Sequence, residues 1–267
     1  MRAMREAIID ELSRLERDEN IRILYACESG SRAWGFPSRD SDYDVRFIYI
    51  RQPEWYLSIF DKRDVIERPI SDQLDISGWD LRKTLNLYRK SNPPLLEWLQ
   101  SPIQYAESLS AAEQLRAMSP LMFSPKSCMY HYLNMARGNY RMYLQGERVR
   151  IKKYFYVLRP VLACLWIERY GAMPPMAFDT LLEQLIPQDT ELWRVIQELL
   201  VRKKSGEELD YEPQLKPIND YLEERLHELE MRAALQPAAD AKLDDRLDAM
   251  FRETLREAWK QTNDEYE

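Results

Sequence analysis

Histidine and cysteine are scarce in this 267-residue chain, with two of the first and three of the second. His131 and His227 alone give almost no material for a Ser-His-Asp triad or a histidine-based metal site. Cys27, Cys128 and Cys164 are odd in number, far apart and set among apolar neighbours. They exclude a disulfide framework and a zinc-binding spacing, and read as buried free thiols. No apolar run approaches the length of a bilayer span, so no membrane is expected as a partner. The opening MRAMREAIIDEL interrupts its apolar residues with charge, which suits an amphipathic helix rather than a secretory signal, and the expected location is cytoplasmic. Positive charge is in deficit too: 38 Lys and Arg stand against 45 Asp and Glu, a net charge of −7. That balance excludes broad, sequence-independent coating of nucleic acid but allows a local basic patch. Catalysis, if present, must rest on carboxylates.

What is there has the texture of a globular protein, and its length allows one large domain or two modest ones. Met4, Ile8, Ile9, Leu12 and Leu15 fall at helical spacing. Ile21 to Cys27 and Tyr43 to Ile50 read as strands, and Val65–Ile70 and Gln73–Ser77 as two more joined by a turn near Ser71-Asp72. From Trp79 the strand signals fade. Helices are expected over Trp79–Lys90, Pro93–Gln100, Ser108–Met118, Ser124–Leu144, Val149–Tyr170, Phe178–Leu185 and Glu191–Lys203. Lys203 to Pro217 reads as a linker. Ile218–Leu235 and Ala241–Trp259 close the chain around a break at Pro237, the latter with a Leu243, Leu247, Met250, Phe251, Leu255 stripe that suits packing within the chain or between copies. The expected fold class is α/β (α+β): a small mixed-sheet domain, residues 1–120, followed by a helical domain, residues 121–267.

The informative stretch runs from Glu28 to Val45. A strand leads into Gly30-Ser31, where a small turn leaves backbone N–H groups open and glycine lets a phosphate approach them. After ten intervening residues come Asp42 and Asp44, at i and i+2 near the start of a strand, so both carboxylates point to one face. Two carboxylates there make a hard-oxygen site for Mg²⁺. Asp75, on a neighbouring strand, can direct a third carboxylate to the same place. Without a cation, three such acids would repel one another. Two bound ions would polarise an α-phosphate and stabilise a pyrophosphate leaving group, with Asp75 as the candidate base for an acceptor hydroxyl. Asp40 reads as a loop residue.

With these residues in view, the Gly30-Ser31, Asp42-Tyr43-Asp44 and Asp75 pattern resembles the polymerase-β-type nucleotidyltransferase superfamily. Asp75-Ile-Ser-Gly-Trp-Asp-Leu-Arg-Lys, Lys90-Ser-Asn-Pro-Pro-Leu-Leu-Glu-Trp-Leu and Lys153-Tyr-Phe-Tyr-Val-Leu-Arg-Pro are similar to its bacterial branch, the RNA repair pathway DNA polymerase beta family. The resemblance covers about residues 20–170. It implies Mg²⁺, an NTP such as ATP as nucleotide donor, catalytic aspartates at the positions already named, and an RNA end as acceptor. A protein acceptor modified by adenylylation, or a nucleotide sensor without turnover, are the alternatives. The acidic tail lies outside the resemblance.

Between Arg141 and Arg169 seven basic residues face two acidic ones, reversing the sign of the whole chain. On one continuous helix Lys152, Tyr156 and Arg159 share a face, with Lys153 adjoining. Packed across the cleft, the cations would bind the β- and γ-phosphates and Tyr156 would stack on the nucleotide or hydrogen-bond with it. Arg32 and Arg39 flank the turn as weaker candidates. Trp79, Trp98 and Trp166 read as core anchors, and His131 as a packed or surface residue.

Overall fold

The computed structural model describes residues 2–38, 41–71, 73–207, 209–237 and 243–259. Arg39, Asp40, Asp72 and Ala241, named in the readings above, lie outside them. In chain order the elements are α1 (Arg2–Glu19), β1 (Ile21–Glu28), α2 (Gly30–Ala33), β2 (Tyr43–Arg51), α3 (Pro53–Tyr56), β3 (Val65–Ser71), β4 (Leu74–Asp80), α4 (Leu81–Tyr88), α5 (Pro93–Leu99), β5 (Gln104–Glu107) and α6 (Ala111–Met122). There follow α7 (Pro125–Tyr143), β6 (Arg148–Arg150), a 3-10 turn at Ile151–Tyr154, α8 (Phe155–Tyr170), α9 (Phe178–Leu185), α10 (Glu191–Ser205), β7 (Tyr211–Pro213), α11 (Lys216–Leu235) and α12 (Asp244–Ala258).

Five strands form a mixed sheet in the order β3-β4-β2-β1-β5. Only the β2–β4 pair is parallel. The fold is the mixed α/β class the sequence implies. Alternation along β2 assigns its two faces. Val45, Phe47 and Tyr49 turn to one side and pack with Ile8, Leu12 and Leu15 of α1. Ile48 and Ile50 turn to the other and join a core that continues through Leu133 of α7, Leu158 and Val161 of α8 and Leu222 of α11. Asp44 and Arg46 share that second face but lie at the strand's other end, where the sheet borders an open cleft.

Several boundaries differ from the sequence reading. Trp79 and Asp80 finish β4, and the helix starts at Leu81 because the Asp80 side chain caps it, accepting from the Arg82 N–H at 2.8 Å. Gln104–Glu107 forms an edge strand against β1 although its pattern is nearly featureless, and the following helix runs Ala111–Met122. Val149–Tyr170 is not one helix: Arg148–Arg150 pairs with Tyr211–Pro213 inside the supposed linker, so regular helix begins only at Phe155. All three cysteines are free and buried. Trp98 is buried and stacks on half-buried Trp79, ring centroids 3.9 Å apart. In α12, Leu247 and Met250 are buried and the rest of the stripe packs against the same core, with Phe251 edge-on to Tyr56. Among the described residues no helix is long and apolar enough to cross a membrane.

Candidate active site

A cleft of about 280 Å³ is lined on the sheet side by Ser29, Gly30, Ser31, Asp42, Asp44 and Arg46, and on the helical side by Lys152, Phe155, Tyr156 and Lys203. Gly30 adopts φ +60°, the left-handed region, and a Cβ built there would lie 3.0 Å from Cγ of Asp44 and collide with its Oδ2. Glycine is therefore required twice, for the backbone turn and for the carboxylate that packs on it. The turn is tied to the strand, because the Ser29 N–H donates to the Asp44 carbonyl at 2.8 Å.

Parallel pairing sets Asp44 opposite Asp75, with both side chains on one face. Arg46, on the same face, joins them: Nη2 lies 2.8 Å from Oδ2 of Asp75 and 3.3 Å from Oδ1 of Asp44. Asp42 is exposed on the cleft rim, one residue before β2. Burial pushes the Asp44 carboxyl above the usual carboxylate range; Arg46 opposes the shift, while Asp75 and Asp42 add to it. Behind Asp44, the fully buried Glu28 accepts from the Asp44 N–H at 2.8 Å and from the Tyr105 hydroxyl. Burial raises the Glu28 carboxyl as well.

The donor set has the hard-oxygen chemistry Mg²⁺ selects, and a second observation supports the fit: Asp44 and Asp75 share a positively charged partner. Among the described residues, however, no three acidic, His or Cys side chains close on one point. Arg46 stands between two of them, and Asp42 stays at the rim.

The expected basic face is rearranged. Lys152 and Tyr156 line the cleft, Lys152 from the 3-10 turn and Tyr156 from the first turn of α8. Arg159 does not. It is 1% exposed, paired with Glu97 at 2.8 Å, and packed under Trp34 with its guanidinium carbon 4.6 Å from the ring centroid. Because α8 is enclosed by α7, α9 and α11, only its first turn reaches the cleft, so a phosphate role for Arg159 is corrected to a structural one. Lys153 is absent from the cleft lining; its amine lies 4.4 Å from the Tyr143 ring and 4.7 Å from the Tyr156 ring. Burial, then Arg150 and Lys152, lower its pKa. Arg32 holds the loop before β2, donating to the carbonyls of Asp42 at 3.1 Å and Ser41 at 2.6 Å while stacking on Tyr43. Arg137 pairs with Glu230 on the surface.

Sequence reasoning overlooked Arg46 and Lys203. Arg46 carried a usable signal, being two positions from Asp44 on the strand. Lys203 carried none: it comes from the end of α10 and donates to Ser38 Oγ at 3.0 Å, 165 residues away.

By its family the mixed α/β chain is a polymerase-β-like nucleotidyltransferase. The chain belongs to the RNA repair pathway DNA polymerase beta family, whose model matches residues 4–253. It is 54% identical over 258 residues to the Bacillus subtilis (strain 168) uncharacterized protein YcgL, covering 96% of this chain and 98% of that one. A nucleotidyltransferase-like protein of Exiguobacterium sibiricum 255-15 matches at a TM-score of 0.30 and 12% identity, over 88% of this chain and 74% of the other.

Proposed function

We propose that this protein transfers a nucleotide from an NTP to the hydroxyl of an RNA end, releasing pyrophosphate, with Asp42, Asp44 and Asp75 holding Mg²⁺. The observation that carries the reading is that Asp44, paired across adjacent strands with Asp75, lines one cleft together with Gly30, Ser31, Asp42 and Lys152. In this division of labour residues 1–120 carry the chemistry and residues 121–267 close over the nucleotide.

The chain's own residues have separable tasks. Gly30 and Ser31 bring backbone N–H groups to the phosphates, and Lys152 and Lys203 offer charge to the far end of the triphosphate. Tyr156, 37% exposed and edge-on to Trp34, offers a ring face to the base. Arg32 fixes the backbone at Ser41 and Asp42, and Glu28 fixes it at Asp44. A carboxylate oxygen of Asp75, the more exposed of the paired acids, accepts the proton of the acceptor hydroxyl. Bound Mg²⁺ supplies charge stabilisation of the phosphoryl oxygens and the leaving pyrophosphate.

The test is incubation with each labelled NTP, Mg²⁺ and separate RNA and protein acceptors. Label on RNA supports the proposal, and label on protein alone replaces it with protein modification. Nucleotide binding without any transfer would make the protein a sensor.

A further inference from the structure

Arg46 lies outside the pattern that marks this site in the sequence, yet it joins the site's two strands. Its side chain is 20% exposed, and besides the two carboxylates it donates from Nη1 to the carbonyls of Val45 at 3.0 Å and Asp75 at 3.3 Å. A guanidinium so held offsets the repulsion between two carboxylates on adjacent strands. It also uses the oxygens that a divalent cation would need. Two positive groups cannot share those oxygens at contact distance without strong repulsion.

We propose that Arg46 is a built-in counter-ion that keeps Asp44 and Asp75 together in the metal-free protein and must be displaced before a divalent cation binds between them. Arg46 already lines the cleft with Lys152 and Lys203. Once displaced, its guanidinium swings within that cleft and pairs with the phosphates of the incoming nucleotide. Metal and nucleotide therefore favour each other's binding: the metal frees the arginine that the phosphates accept, and the phosphates hold that arginine away from the metal. The inference rests on the reading of Asp44 and Asp75 as metal ligands.

The test measures Mn²⁺ affinity of the full chain, by titration calorimetry or electron paramagnetic resonance, with and without a non-hydrolysable ATP analogue. Wild type, Arg46→Gln, Arg46→Lys and Asp44→Asn are compared, and circular dichroism checks each fold. Without nucleotide, Arg46→Gln binds Mn²⁺ about tenfold or more tightly than wild type, because a competing charge is gone. Arg46→Lys, which keeps the charge but cannot span both carboxylates, falls between them. The analogue tightens Mn²⁺ binding in wild type more than in Arg46→Gln. If Arg46→Gln fails to fold, the same comparison is read from Arg46→Lys. Equal or weaker Mn²⁺ binding in the folded Arg46 variants, with binding still lost in Asp44→Asn, overturns the counter-ion role alone. Mn²⁺ binding unchanged by Asp44→Asn, or absent from wild type and variants alike, overturns both the counter-ion role and the metal site.

Discussion

Gly30 and Asp44 are in van der Waals contact, so close that no larger residue fits at position 30 while the carboxylate stays where it is. The turn at Gly30 and the acid on β2 are therefore one unit, although 13 residues lie between them. Gly30→Ala should displace Asp44 and lower turnover by on the order of a hundredfold, the scale of a misplacement of about 1 Å at a reacting centre. The left-handed backbone adds a stability cost of about 1–2 kcal/mol. Single-turnover transfer and urea unfolding separate the two effects, and retained turnover would uncouple the turn from the chemistry.

Asp44 is a liability to the metal-free fold. Its folded pKa lies above the unfolded one, so the carboxyl's contribution to stability is present below the unfolded value and is lost as pH rises through the folded value. At neutral pH the ionised group therefore weighs against folding, and Asp44→Asn should be neutral to stabilising in chelator while abolishing transfer. The Tm difference between variant and wild type should shrink as pH falls from about 7 towards the ordinary aspartate range near about 4. A strongly destabilised Asp44→Asn protein at neutral pH would contradict this account.

Arg159 and Lys152 should fail in opposite ways. Arg159→Ala leaves the buried Glu97 without its cation, costing about 3–5 kcal/mol of stability. Lys152 is exposed at the cleft, so Lys152→Ala should leave the melting temperature nearly unchanged and weaken NTP binding roughly tenfold to a hundredfold. Differential scanning calorimetry beside nucleotide titration reads both. A stable Arg159→Ala protein with selectively weakened NTP binding would restore the phosphate role that its sequence position suggests.

Lys203 has two possible uses that one pair of variants distinguishes. Its amine donates to Ser38, in the loop between the Gly30 turn and Asp42. If its charge also serves the triphosphate, Lys203→Met should raise KM for NTP by about tenfold or more, while Ser38→Ala, which removes the tie to Lys203 together with the Ser38–Ser41 hydroxyl contact but leaves the charge, should have a milder effect. Equal effects from the two variants would limit Lys203 to fastening the loop.

These residues also mark where the sequence could be read and where it could not. The places of Gly30, Asp44 and Asp75 were legible because strand periodicity and a turn residue are local signals, and the first sheet strands followed from the same alternation; Asp42 falls one residue before β2, where that alternation no longer sets its direction. Arg159 misled because helical spacing says which residues share a face but not which face is covered; α7, α9 and α11 decide that. The break at Phe155 was hidden because it depends on Tyr211–Pro213, a pairing partner some 60 residues away. β5 escaped for a similar reason: β1 offers an edge to be paired, and that need outweighs a weak local pattern. Lys203 enters the cleft only through tertiary packing.

The proposed gathering of Asp42, Asp44 and Asp75 around divalent cation beside Gly30-Ser31 is tested most directly by anomalous diffraction from crystals grown with Mn²⁺ and a non-hydrolysable NTP. The account predicts Mn²⁺ peaks ligated by these carboxylates, with the phosphates against the Gly30-Ser31 backbone and Arg46 turned away. Mn²⁺ bound elsewhere, or phosphates lodged away from Gly30-Ser31 with Arg46 still bridging Asp44 and Asp75, would contradict it.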